Sequence, residues 1–314
     1  MRAVVLRAFG PPERLVAEDV PAPQPGPGQV LVDVEAASIT FVETQIRAGR
    51  PPHPPMAPAL PAILGNGVGG TVSALGEGAD ESLLGRRVVT TTGGTGGYAE
   101  HATADAAAAI VVPDELEVST AVALLADGRT ALSLIESAAP QPDETVLILA
   151  AGGGVGSLLV QLTRRAGARV IAAARGERKL ALAAELGAHV TVDYTRPGWE
   201  TGLGEADVVL DGVGGTIAAA AFGLVRPGGR FVAFGMASGA FVPARDAEAA
   251  GVTLVRGVPL TPERSRALSA AALDEAAADR LTPTVGQTFA LERAAAAHAA
   301  IEARATLGKT LLLA

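Results

Sequence analysis

The chain has no cysteine among its 314 residues. That excludes disulfides, thiolate metal sites and a cysteine nucleophile, and it agrees with a reducing, cytoplasmic setting. Aromatic residues are scarce, at 3% with a single tryptophan, so the core must be packed from Ala, Val and Leu. Basic runs are missing, and 25 Lys+Arg against 33 Asp+Glu leave a formal charge of -8. Nucleic acid, which needs a basic footprint, is therefore excluded as a partner. Long apolar runs are missing too. The most apolar stretches are broken by glycines and charges, so none is expected to span a membrane, which takes about 20 apolar residues. The opening Met1-Arg2-Ala3-Val4-Val5-Leu6-Arg7 reads as a short strand, not a signal peptide. The four histidines, His53, His101, His189 and His298, are scattered without metal-ligand spacing, and no metal site is expected.

What is present is glycine, proline and alternating structure. In the first 110 residues, strands are expected at 2–7, 29–36, 68–74 and 86–91, with Gly/Pro-rich turns between them. That punctuation points to a barrel-like antiparallel module. Residues 119–137 read as a helix. From 144 onward near-continuous apolar strands alternate with helices: strands 144–150, 168–174, 189–193, 207–211 and 229–235, and helices 155–166, 176–186 and 215–225. Strands of that kind belong to a parallel sheet covered on both faces. The tail returns to mixed character, with helices at 263–279 and 291–304 and strands at 283–289 and 308–313. The chain is expected to be α/β, with a nucleotide-binding domain at 120–279 inserted in one discontinuous β-rich domain formed by 1–119 and 280–314.

The chemistry-bearing motif is Ala151-Gly152-Gly153-Gly154-Val155-Gly156, which follows a strand and opens a helix. Laid over G-x-G-x-x-G, its key positions are Ala151, Gly153 and Gly156. Gly153 lets backbone approach a pyrophosphate, Gly156 lets the helix pack closely, and the amides of Gly154 and Val155 face the phosphates. A bare structural turn is the plainer reading of such a cluster; the strand–turn–helix context favours a dinucleotide. An NAD site carries Asp or Glu about 20 residues beyond the glycines. Here the second strand ends at Arg175, with Arg178 and Lys179 following. Arg175 and Lys179 suit a 2′-phosphate, which selects NADPH, against the alternative of a solvated charged turn. Gly235 and Met236 sit at a later strand's carboxyl end, where ligands of such sheets collect, with loop structure as the competing reading.

These motifs resemble the zinc-independent quinone oxidoreductases of the medium-chain dehydrogenase/reductase superfamily. The likeness runs through Ala150 to Gly156, Gln161, Gly167-Ala168, Lys179, Leu186-Gly187-Ala188, Asp193-Tyr194, Asp211-Gly212-Val213-Gly214-Gly215 and the closing Gly308-Lys309-Thr310. It implies a GroES-like catalytic domain, a Rossmann cofactor domain and a homodimer. It also implies that Tyr194 and Lys179 meet the 2′-phosphate and that Thr130 lies on the nicotinamide side; read alone, Thr130 is an ordinary helix residue. The superfamily's zinc branch has Gly-His-Glu where this chain has Gly65-Asn66-Gly67. Relatives read approximately Asn-x-x-Asp-x-Tyr where this chain has Thr40, Glu43 and Gln45, so a tyrosine proton donor is missing at that position.

Hydride transfer needs mainly positioning, and a quinone, whose product is aromatic, needs little acid assistance. Thr40, Gln45 and Asn66 are the candidates to bind an acceptor oxygen; each also has a structural reading, as turn hydroxyl, helix surface and loop former. The expected activity is NADPH-dependent reduction of a quinone or enone lodged between the two domains. The alternatives are an alkenal or polyketide-type enoyl reductase, and a non-catalytic NADPH-binding regulatory protein.

Overall fold

The computed structural model describes residues 1–235, 237–238, 244–257 and 260–314. It divides into two units, Met1–Ala126 with Pro262–Ala314, and Asp127–Thr261. The first unit begins with β1 (Arg2–Leu6), β2 (Leu15–Asp19) and the long β3 (Gln29–Ile39). Thr40 then starts α1 (Phe41–Arg47), and β4 (Ala62–Ile63), β5 (Gly67–Leu75), β6 (Arg87–Thr91), β7 (His101–Asp105) and β8 (Ile110–Val111) follow. β3 alternates buried and open positions over its first half and is buried over its second. The bounds of α1 were not expected, although Gln45 read as a possible helix-surface residue. A seven-residue helix is too short for apolar periodicity to reveal, and only its cap marks it.

The helix α2 (Val118–Ala138) crosses from the first unit into the second. The second unit continues with β9 (Thr145–Leu149), α3 (Gly154–Arg165), β10 (Arg169–Ala174), α4 (Glu177–Glu185), β11 (Val190–Asp193), β12 (Ala206–Asp211), α5 (Gly215–Phe222), β13 (Val225–Ala233), α6 (Ala244–Ala249) and β14 (Thr253–Arg256). Its six strands are parallel, in the order β11-β10-β9-β12-β13-β14. This is the doubly wound dinucleotide order, in which strand order reverses beside the first strand, and ligands bind outside the carboxyl ends at that reversal. Val146 to Leu149 of β9 are wholly buried, which accounts for their unbroken apolar run.

The chain then returns to the first unit through α7 (Pro262–Ala277), β15 (Val285–Ala290), α8 (Ala294–Glu302) and β16 (Lys309–Leu313). β16 pairs antiparallel with β3, which closes a seven-stranded sheet from both ends of the chain.

The unit limits differ from the expected 120–279 at two helices. The start of α2 packs on β5: a Cβ at Gly69 would lie 2.5 Å from a Val122 methyl. The helix α7 joins it there, with the Ser269 hydroxyl donating to the Leu125 carbonyl at 2.9 Å. The start of α2, as far as Ala126, and the whole of α7 therefore belong to the first unit. One further expectation changes. The helix α2 is long and apolar enough to cross a membrane by length and composition, with mean hydropathy 1.3 in its best window. Ala121, Val122, Leu124 and Leu125 on this helix are core residues, at most 3% exposed, so its apolarity is accounted for by burial.

Candidate cofactor and acceptor sites

In the second unit the chain leaves β9 through Ala150, whose φ of +56° is left-handed. A residue with a Cβ pays roughly 1 kcal/mol for that conformation. The tight turn thus falls on Ala150, one residue before the alanine that the motif alignment marks. Gly153 caps α3 from extended backbone and offers no side chain to its first-turn amides. These amides have no intrahelical acceptor and form a ready anion site. Three glycines of the turn are closed by neighbours. A Cβ at Gly156 would stand 2.2 Å from the Ala150 carbonyl oxygen, one at Gly152 would stand 2.5 Å from Lys179 Cβ, and one at Gly154 would stand 1.9 Å from Asp127 Oδ2. Gly153 is the open one: its nearest obstacle is the Ala150 oxygen at 3.3 Å. Gly153, Gly154 and Val155 are partly exposed, whereas Gly156 is buried.

Ala174 at the end of β10 pairs with Asp193 at the end of β11, so the next residues, Arg175 and Tyr194, leave the sheet side by side. The Tyr194 amide donates to the Ala174 carbonyl at 3.3 Å. Arg175 is exposed and makes no hydrogen bond or ion pair among the described residues. Lys179 is half-buried, its stem lying over Gly152. An acid does approach the end of β10, but from the neighbouring strand. Asp193 accepts from the Gly176 amide at 3.1 Å and from the Thr195 amide and hydroxyl at 2.9 and 2.6 Å. Those bonds, with the Thr195 hydroxyl foremost, hold its carboxyl below the usual range. Its acceptors pin the loop.

Across the sheet, Asp211 is buried and its Oδ1 accepts from the amides of Val213 and Gly214 at 2.7 and 2.9 Å, which sets the loop before α5. Burial nevertheless pushes its carboxyl up. Gly235 passes close to that loop, where a Cβ would lie 2.6 Å from the Gly212 oxygen. Thr130 is half-buried on α2, one turn beyond Asp127. Met236 lies outside the described residues.

In the first unit, Thr40 and Asn66 both bond a residue that the sequence marked only as a substitution, Glu43. Thr40 and Glu43 form a reciprocal capping box at the start of α1. The Thr40 amide donates to Glu43 Oε2 at 2.6 Å and its hydroxyl donates to the same oxygen at 3.1 Å. Glu43 Oε1 accepts from the Asn66 amide at 2.9 Å. One buried carboxylate thus ties the α1 cap to the loop before β5. Burial raises its pKa, against the pull of these amides and the charge of buried Lys309. The Thr-x-x-Glu spacing was the available signal for this arrangement.

Asn66 spends its side-chain oxygen on the Gly94 amide at 2.7 Å, which orients the group. Its Nδ2 has no partner among the described residues. Gln45, half-buried, donates from Nε2 to the Thr44 hydroxyl at 3.1 Å. Behind this cluster, the Tyr98 hydroxyl meets His298 Nε2 at 3.2 Å, and buried Arg47 bonds the Gly10 carbonyl and Glu302. Burial first and the Glu43 charge second hold the Tyr98 hydroxyl protonated. Burial, reinforced by Arg47, pulls His298 down to about 3.

The architecture is that of a Rossmann unit inserted in a GroES-like β-rich unit. The chain matches the alcohol dehydrogenase GroES-like domain over residues 26–114 and the zinc-binding dehydrogenase family over residues 186–312. It is 32% identical to a 2-haloacrylate reductase of a Burkholderia species, over 99% of this chain and 98% of that one. It is also 32% identical to the quinone oxidoreductase of Sus scrofa, over 100% of this chain and 98% of that one. The crystal structure of Escherichia coli quinone oxidoreductase complexed with NADPH superposes with a TM-score of 0.91 at 28% identity, covering 100% of both chains. The chain belongs to the quinone oxidoreductase family of the medium-chain dehydrogenase/reductase superfamily. Cysteine is missing, and among the described residues no three His, Asp or Glu side chains cluster as a metal site.

Proposed function

We propose that this protein reduces a quinone or conjugated carbonyl with NADPH by direct hydride transfer, without zinc. The observation that carries the reading is the start of α3, opened by the bare backbone of Gly153, together with the exposed guanidinium of Arg175 at the neighbouring strand end, which has no partner among the described residues. The first-turn amides of Gly154, Val155 and Gly156 hold the pyrophosphate, and the bare backbone of Gly153 lets it come close. Arg175 takes the 2′-phosphate, with Lys179 and Tyr194 beside it, in the planar, charge-assisted geometry that guanidinium suits. Thr130 and Gly235 contact the nicotinamide half. Three solved relatives bound to NADPH, from Escherichia coli, a mycobacterium and Thermus thermophilus, support the cofactor.

The dinucleotide supplies the hydride, and the chain's task is to bind and orient the acceptor. Asn66 Nδ2 is the best-placed donor to an acceptor oxygen, since its amide is fixed by Gly94 and its hydrogens are uncommitted. Gln45 adds a second amide. Thr40 contributes less directly, because its hydroxyl is committed to Glu43. None of these is a strong acid, which favours acceptors whose reduced oxygen water can protonate. Family membership supports a homodimer acting in the cytoplasm. The Burkholderia relative's name adds a second acceptor class, a carbon–carbon double bond conjugated to a carboxylate.

The test is NADPH-consumption kinetics across quinones, enones, haloacrylates, enoyl thioesters and alcohol/aldehyde pairs, with product identification. Turnover of quinones or conjugated carbonyls is expected. Turnover confined to alcohol/aldehyde pairs would reject the mechanism, and tight NADPH binding without turnover of any acceptor would mark a non-catalytic binder.

A further inference from the structure

The turn that the proposed function assigns to the pyrophosphate already has an anion against it. Asp127 projects from α2, and its Oδ2 lies where a Cβ on Gly154, the first residue of α3, would be. The amides there are the positive end of the helix dipole, roughly half an elementary charge, which attracts a carboxylate as it attracts a phosphate. Arg129, two residues along α2, is half-buried; burial disfavours its guanidinium charge and Asp127 favours it. The carboxylate thus lies against the first residue of α3, and its charge favours that of Arg129.

We propose that Asp127 sets the cofactor affinity from within the site: its carboxylate occupies the anion position at the start of α3, and the cofactor's pyrophosphate binds by displacing it. The inference rests on the dinucleotide reading of that turn and adds to it a residue that opposes binding. Two consequences follow. The pyrophosphate must meet or expel a like charge at close range, so affinity is lower than the turn alone would give. A Cβ at Gly154 would also have to displace the Asp127 carboxylate, because the two cannot coexist in this arrangement. A negative side chain at this point also favours release of the oxidised dinucleotide, whose pyrophosphate is the same as that of the reduced one.

The test uses the full-length protein and its Asp127→Asn, Asp127→Ala and Asp127→Glu variants, with calorimetric titration of three probes. These are NADPH, inorganic pyrophosphate, and adenosine 2′-monophosphate, which lacks the pyrophosphate. Removing one like charge from a partly screened contact is expected to tighten NADPH and pyrophosphate binding about tenfold in the Asn and Ala variants. Adenosine 2′-monophosphate binding should stay within twofold, and the Glu variant should remain no tighter than the parent. Unchanged or weaker NADPH binding in both neutral variants overturns the proposal. So does equal tightening of adenosine 2′-monophosphate, which would make the effect a general one of net charge. If neither parent nor variants bind NADPH at all, the dinucleotide reading itself fails, and this inference falls with it.

Discussion

Replacing Glu43 tests how the polar cluster of the first unit is held. Its carboxylate accepts from the amides of Thr40 and Asn66 at 2.6 and 2.9 Å and from the Thr40 hydroxyl. The residue is 5% exposed, so water does not readily replace it. Glu43→Ala strands both amides at about 1 kcal/mol each, and the lost cap and small void bring the expected total to about 3 kcal/mol. Relief of the buried charge keeps the cost from going higher. Glu43→Gln retains one acceptor oxygen, satisfies one amide and should cost about half as much. Urea denaturation followed by circular dichroism measures the loss, and hydrogen exchange at the Thr40 and Asn66 amides shows where it arises. The two proteins should also differ with pH. Burial raises the folded pKa of Glu43 above its ordinary 4.5, so the folded chain holds this proton more tightly than the unfolded chain. The parent should therefore gain stability relative to Glu43→Gln as pH falls through the raised value, with the gain complete below 4.5. A Glu43→Ala protein within 0.5 kcal/mol of the parent, or amides that exchange no faster, would refute the reasoning.

Other expectations follow from single contacts. Arg175→Ala should weaken NADPH binding about tenfold and leave NADH nearly unchanged if, as proposed, the exposed guanidinium meets only the extra phosphate; equal losses for both cofactors would remove Arg175 from that role. Gly156→Ala should destabilise by about 1–3 kcal/mol and impair cofactor binding, since the added Cβ meets a backbone oxygen that cannot rotate away; a fully stable, tight-binding variant would contradict the packing. His298 titrates near 3 when folded against an ordinary 6.5, so it costs stability as pH falls between those values. His298→Gln should flatten that part of the stability profile, and an unchanged acid limb would show that another group governs it. Exhaustive chelation should leave turnover intact; activity lost to chelator and restored by zinc would overturn the metal-free mechanism.

Much of this protein is written in local pattern. The second unit was legible from β9 to β13 because those strands and helices show their period, and because β9, α3 and the glycine turn between them occupy consecutive residues, whereas the short α6 and β14 were not expected. The type of fold follows from that alternation, since buried parallel strands must be apolar throughout. Arg175 at the end of β10 was legible for the same reason, as strand end and side chain are neighbours in the chain.

What escaped the sequence depends on residues far apart. The membership of α7 in the first unit was decided by Ser269 meeting Leu125, not by anything within the helix. Asp193 reaches the loop after β10 only because β10 and β11 pair in that register. Glu43 became the centre of the acceptor segment once folding placed Asn66, 23 residues away, at its second oxygen. Asp127 lies 27 positions before the glycine it touches (154 − 127), on a helix whose own pattern is merely apolar. The sequence by itself determined the longer alternating elements, the dinucleotide turn and the absence of cysteine ligands, because each is a property of consecutive residues or of composition. Only the tertiary structure decided which charges face those elements, because electrostatic and hydrogen-bond partners are chosen by distance in space, and a chain's order does not record it.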